Sequence, residues 1–100
     1  MAVVSMMRIS GDSDELAGKL DAIDSVAREL APKHGGLANI VARTDDGILV
    51  INLWEHDQGR HDMAEEPQIR EALQSAGLPA PAFEGYEVVR MHVLPEAVRG

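Results

Sequence analysis

Two apolar runs, LANIVART (37–44) and ILVINLW (48–54), stand on either side of Asp45-Asp46-Gly47. An Asp-Gly step between two strand-like runs is the strongest short-range signal for a β-hairpin. A chain with this hairpin at its centre is committed to an antiparallel sheet. The flanking segments must supply the other strands and a cover.

AVVSMMRI (2–9) is short, rich in Val and Met, and stops at Ser10-Gly11, which predicts a buried first strand. DSDEL then opens a helix. Asp12 or Ser13 can cap it, and Glu15 stands three residues after Asp12, as a capping box requires. Leu16, Leu20, Ile23, Ala27 and Leu30 follow at steps of 4, 3, 4 and 3 and so share one stripe. Pro32 and Gly35-Gly36 close the helix. After the hairpin, Pro67 cannot sit inside a helix but suits the first turn of one. The pattern predicts a short helix over 57–65 and a second from Pro67 to Ala76, stopped by Gly77 and Pro79. LPAPAFEG reads as a loop and YEVVRMHVL (86–94) as the last strand. Strand, helix, strand, strand, helix, strand is the split βαβ order of ferredoxin-like α+β folds, with a four-stranded antiparallel sheet and helices on one face.

One hundred residues make one domain. A chain of this size buries roughly 60–65% of its unfolded surface, so its core must be well filled. Only Trp54, Phe83 and Tyr86 are aromatic, and five Met fill space flexibly instead. The net charge of −8, from 17 acidic and 9 basic residues, repels phosphate backbones and anionic membranes. Neither nucleic acid nor membrane is an expected partner. With no cysteine, neither a disulfide framework nor a Cys-based zinc or redox site can form, which suits the cytoplasm. MAVVSMMRIS lacks a basic start and reads as a strand, not as a signal peptide or anchor.

Side chains alternate along a strand, so each strand divides into two sets. One set is almost purely apolar: Ala38, Ile40 and Ala42; Leu49, Ile51 and Leu53; Val89, Met91 and Val93. It is expected under the helices. The other mixes aliphatics with polar groups: Leu37, Asn39, Val41 and Arg43; Ile48, Val50, Asn52 and Trp54; Tyr86, Val88, Arg90 and His92. Val4, Met6 and Arg8 are placed with it. A two-residue Asp46-Gly47 turn gives these sets, whereas a three-residue loop with a bulge would flip one strand against the other. Leaving about six large apolar side chains wet forgoes roughly 1.5–3 kcal/mol each, against a total stability of only about 5–15 kcal/mol. A second copy of the sheet, related by a two-fold axis, is the simplest cover.

In its element order, in TDDGILVINLWE ending on Trp-Glu, in the interrupted second helix and in AGLPAPAFEGYEVVRMH, the chain resembles the dimeric α+β barrel proteins. This group includes the antibiotic-biosynthesis monooxygenases, and the likeness is greatest to small members with no assigned activity. The resemblance implies a homodimer whose two sheets join into a barrel, with a cavity between each sheet and its helices. Some relatives oxygenate aromatic polyketides or quinols without metal or flavin, some degrade haem, and others are isomerases or have no known reaction. In the cofactor-free oxygenases, Asn, Trp and Arg side chains near the cavity hold the substrate and stabilise its anion. By position and type Trp54 matches the Trp ending the third strand, and Asn52 and Arg90 are counterparts. The haem-degrading branch carries an Asn on the first strand and an axial His on the second helix. VVSMMRI has no Asn and only His61 lies near that helix's start, so no haem, and no other cofactor, is expected.

The remaining candidates divide between chemistry and structure. His56-Asp57 and His61-Asp62 look like a metal site, but in a helix His56 and His61 would lie roughly 140° apart. Asp57 and His61 could share a face, yet zinc generally wants three or four ligands. The structural alternative makes Asp57 a helix cap, and no metal is expected. His92 beside Arg90 is either an interface histidine or a neutral general base. Asn39 and Asn52 either bond across the sheet or meet a ligand. Trp54 is a core anchor or a stacking platform, and Tyr86 joins it and Asn39 as a substrate-binding candidate. His34 ends the first helix near exposed carbonyls and is assigned no chemistry. Two functions remain open. One is a cofactor-independent monooxygenase acting on a small aromatic such as a quinol, with Asn52, Arg90 and His92 catalytic. The other is a non-catalytic homodimer that binds a small molecule or only assembles.

Overall fold

Asp12 begins the first helix as its sequence predicts, with its carboxylate accepting the Glu15 amide at 2.9 Å. From that anchor the computed structural model, which describes residues 1–79 and 82–94, is built as β1 (Val3–Ser10), α1 (Ser13–Leu30), a 3-10 turn (Ala31–His34), β2 (Gly36–Thr44), β3 (Gly47–Trp54), α2 (Asp57–Glu65), α3 (Pro67–Ala76) and β4 (Ala82–Glu87). The four strands form one antiparallel sheet in the order β2-β3-β1-β4. This is the ferredoxin-like α+β arrangement, with the second helix broken at Pro67 into two pieces. No helix among the described residues is long and apolar enough to cross a membrane.

The hairpin turn is Asp45-Asp46, not Asp46-Gly47. Thr44 pairs with Gly47, and the register of β2 on β3 runs from there, two residues away from the expected one but of the same parity. Among the described residues no non-glycine takes a positive φ, and Gly47 does not either, so the turn is not the mirror-image type that an Asp-Gly step favours. Gly47 is needed for another reason. It is a strand residue paired with Ser10, and a Cβ there would collide with the Ile9 carbonyl oxygen.

Ile9, Leu16, Ile48 and Val50 form one buried cluster; Leu30, Trp54, Met63 and Ile69 form the other. Both lie between helices and sheet. The helix side of the sheet therefore carries Ile48, Val50, Asn52 and Trp54 on β3, with Asn39, Val41 and Arg43 beside them on β2. An Arg43–Asp14 ion pair of 2.9 Å ties β2 to the start of α1 on this side. This reverses the expected assignment. The purely apolar set, Ala38, Ile40, Ala42, Leu49, Ile51 and Leu53, faces away from the helices. Val4, Met6 and Arg8 sit with it, because they pair with Leu53, Ile51 and Leu49. Alternation sorts residues into two sets but does not say which set the helices cover, and apolar purity was the wrong guide. Ile40 is 55% exposed on this open face.

The last strand also differs. Its paired residues are Ala82–Glu87: 82–85 fall in the segment expected to be a loop, and only Tyr86 and Glu87 in the expected strand. Val88 donates one more hydrogen bond, to the Ala2 carbonyl at 2.8 Å, and 89–94 leave the sheet. Arg90 and His92 are thus not on the sheet, and Val89, Met91 and Val93 are not under the helices. Pairing with β1, not β-branched content, decided where the strand lies.

Gly47→Ala should destabilise the fold by about 2–4 kcal/mol, because the β1–β3 ladder must open to admit a methyl group. Asp12→Ala, which removes one cap, should cost about 1 kcal/mol. Urea unfolding of both variants measures the difference, and a Gly47→Ala variant no less stable than Asp12→Ala would contradict the packing account.

Candidate functional site

Between the end of α1 and the β2–β3 hairpin lies a cleft of about 330 Å³, lined by Asp24, Arg28, Ala31, Asn39, Asn52 and Trp54 among others. The strands place the two asparagines opposite one another, Asn39 against Asn52, on the helix side of the sheet. Their side-chain amides bond at 2.6 Å, Asn39 donating to the Asn52 oxygen. An amide pair of this kind leaves one whole NH2 group, the donor's second N–H and one carbonyl oxygen unused whichever way it is oriented.

Trp54 closes the cleft floor. It is buried against Leu30, Met63 and Ile69, and its indole Nε1–H donates to Ser5 Oγ at 3.2 Å. Ser5 is 2% exposed, a hydroxyl inside an otherwise apolar strand. It exists there to satisfy the indole, since a buried N–H without an acceptor is destabilising. Ser5 did not stand out in the sequence, although a lone Ser among Val and Met in a strand is a usable sign. Asp24 and Arg28 were missed as well. They sit one helical turn apart on α1, paired at 2.9 Å, at the cleft edge.

Of the six residues singled out as candidates, the fold brings Asn39, Asn52 and Trp54 together. Tyr86 lies at a second cleft of about 350 Å³ near Asp57, Arg60, Phe83 and Glu87. Arg60 stands over the Phe83 ring at 5.0 Å to its centroid. Arg90 and His92 are exposed and beyond β4, away from both groups within one chain. Tyr86 donates its phenol hydrogen to Glu84 Oε2 at 2.7 Å, and Arg8 approaches the other oxygen at 3.4 Å. Those two bonds, Tyr86 first, hold the Glu84 carboxyl below its usual range, and the carboxylate in turn raises the Tyr86 phenol.

The two His-Asp pairs punctuate a strand-to-helix joint. His56, not Asp57, caps α2: its Nδ1 accepts the Gly59 amide at 2.9 Å. Asp57 is bound by Arg60 at 2.9 Å and by His61 at 3.3 Å, and its carboxyl is held low chiefly by the Arg60 hydrogen bond. Asp62 accepts from Gln58 at 2.9 Å. Gly59 is buried, and a Cβ there would meet the His34 carbonyl oxygen. His34 itself turns from the end of α1 to Glu66, at 2.7 Å, and locks the α2–α3 junction. Among the described residues no three His, Asp or Glu side chains are placed to hold a metal ion.

Two outcomes follow from this geometry. Ser5→Ala should cost about 1–3 kcal/mol in chemical unfolding, because the indole N–H loses its acceptor in a dry site. The single tyrosine should titrate above its ordinary pKa of 10 in an absorbance experiment at alkaline pH. Its folded pKa is raised, so its stabilising bond is present below the unfolded value and is lost as pH rises through the folded one. The Glu84 contribution has the opposite sign: it is present above the unfolded value and is lost on acidification. Glu84→Gln should return the tyrosine midpoint toward its ordinary value.

No protein-family model matches the chain, and no curated protein matches it in sequence. Solved structures do match in shape. A candidate antibiotic biosynthesis monooxygenase from Chloroflexus aurantiacus J-10-fl superposes with a TM-score of 0.72 at 13% identity, over 92% of this chain and 97% of the other. SnoaB, a cofactor-independent oxygenase from Streptomyces nogalater, gives 0.62 at 13% identity, over 95% and 96%. A protein of unknown function from Nitrosomonas europaea gives 0.66 at 22% identity, over 96% of each. The chain has the ferredoxin-like α+β fold of the antibiotic-biosynthesis-monooxygenase proteins, at identities that establish the fold alone.

Proposed function

We propose that the chain works as a homodimer that takes a small planar quinol into the Asn39–Asn52–Trp54 cleft and oxygenates it without a cofactor. The observation that carries this reading is the amide pair. It leaves a neutral donor and an acceptor beside a large aromatic side chain, the set needed to hold a ring through its oxygen while the apolar surface contacts its face. A quinol and dioxygen can give a hydroxyquinone and water with no outside reductant, since the ring supplies all four electrons. The task left to the protein is to favour the phenolate, and an amide N–H aimed at its oxygen does so. SnoaB, with the same fold, is a cofactor-independent oxygenase. The homodimer is supported by the sheet face turned away from the helices, where Val4, Met6, Ile40, Leu49, Ile51 and Leu53 stand together and Ile40 is exposed.

A specific observation favours a second reading, in which the cleft binds but does not react. The titratable side chains lining it are Asp24 and Arg28, and they neutralise each other at 2.9 Å. Among the described residues no other titratable side chain lines the cleft.

Oxygen uptake with a panel of hydroquinones, together with Trp54 fluorescence, separates the readings. This is the single tryptophan of the chain, so its quenching reports binding at the cleft directly. The enzyme reading expects uptake that falls about 100-fold in Asn52→Leu. Quenching without uptake for every ring that binds establishes the binding reading, and neither signal with any member of the panel overturns both.

A further inference from the structure

The helices α1 and α2 open on caps of different chemistry. Asp12 holds the first with a carboxylate, which accepts the Glu15 amide at 2.9 Å. His56 holds the second with a ring nitrogen, its Nδ1 accepting the Gly59 amide at 2.9 Å. A backbone N–H can only donate, so this Nδ1 carries no proton and the ring is neutral. One proton turns the acceptor into a donor, an exchange that imidazoles make between about pH 5 and 8. It also sets a cation at the positive end of a helix dipole.

Gly59 makes the loss consequential. It is the third residue of α2, a position whose backbone N–H has no partner inside the helix. It is also buried, wedged between the His34 carbonyl and the His56 ring. Without its acceptor the amide becomes a buried unpaired donor, unfavourable until the turn moves and water reaches it. The far end of α2 responds to acid in the opposite way. There His34 Nε2 meets Glu66 Oε1 at 2.7 Å, and a proton on His34 makes that bond an ion pair. Three further groups surround the joint. Glu55 Oε2 borders Gly35 together with His56 Nε2. Asp57 is paired with Arg60 at 2.9 Å, and His61 stands 3.0 Å from Arg60 and 3.3 Å from Asp57. A protonated His61 competes with Arg60 for Asp57 and so works in the same direction as His56.

We infer that His56 is a proton-released clasp: neutral, it fastens the first turn of α2 beside the cleft at β4, and protonated, it frees that turn to swing about the His34–Glu66 contact. Asp57 and Arg60 line that cleft and move with the turn, so Arg60 leaves the Phe83 ring. The cleft opens in mild acid. The clasp is independent of what either cleft holds.

Nuclear magnetic resonance between pH 8 and pH 5, the range over which imidazoles change charge, tests this. The carbon-bound ring protons of His56 give its titration midpoint directly. Gly59 amide protection, corrected for the intrinsic pH dependence of exchange, should fall about fivefold through that midpoint. The Glu15 amide, held by Asp12, should keep its protection. The nuclear Overhauser contact between Arg60 and Phe83, the single phenylalanine, should fade over the same range. His56→Asn, whose amide oxygen caps whatever the pH, should show neither change while folded by circular dichroism. His34→Gln and His61→Gln should keep both changes. Gly59 protection that stays constant while the His56 ring titrates overturns the clasp, whether or not any variant folds. A drop that survives in His56→Asn, or vanishes in either of the other two variants, assigns the proton elsewhere and also overturns it. Lost Gly59 protection with the Arg60–Phe83 contact intact overturns the opening of the cleft.

Discussion

The structure depends on a central strand that is apolar on both sides. Along β3, Ile48, Val50 and Trp54 point to the helices, and Leu49, Ile51 and Leu53 point the other way. A strand of this kind needs two covers. The chain supplies one, through Leu16, Ile23 and Leu30 on α1, Met63 on α2 and Ile69 on α3. Leaving the second face wet would forgo roughly 1.5–3 kcal/mol per large side chain, a heavy loss for a domain whose whole stability is about 5–15 kcal/mol. Within one chain the described residues cover one of the two faces. Helix placement, the position of the cleft and the proposed association all follow from how the alternation of this one strand is shared out.

The same alternation explains what could and could not be read from the amino acids. Local signals were decisive where one residue sets one conformation. Asp12 caps α1, Pro67 opens α3 and Gly77 closes it with a positive φ of 67°, so the helix bounds were legible. The hairpin was legible as a two-residue loop, although Gly47 owes its place to the Ile9 carbonyl and not to the turn. Sidedness was not legible. Both sets on β3 are apolar, and a one-chain core tempts one to assign the purer set to it. The last strand was misplaced for a related reason. VVRMHVL has more strand character than AFEGYE, but β1 offers a partner only to the latter.

The candidate site was partly visible because two of its members pair across the hairpin and the third ends it. Any register that pairs odd-numbered positions of β2 with even-numbered positions of β3 brings Asn39, Asn52 and Trp54 to one face. Ser5 could not be found that way. Its role arises only once β1 lies beside β3 with Ser5 opposite Asn52, bringing a hydroxyl within reach of the Trp54 indole. Arg28 and Asp24 depend on how α1 crosses the sheet, a tertiary fact with no local sign.

Charge sets the remaining condition on any chemistry in the cleft. A chain of net charge −8 surrounds its sites with a field that opposes an anion. The amide pair offsets part of that without adding charge, and Arg28 adds little while Asp24 holds it at 2.9 Å. A phenolate would thus be held in a single chain by dipoles alone, against the field of the whole molecule. Either the ligand stays neutral and the protein only binds it, or a further cation must approach the asparagines. Arg90 is an exposed cation on a segment outside the sheet.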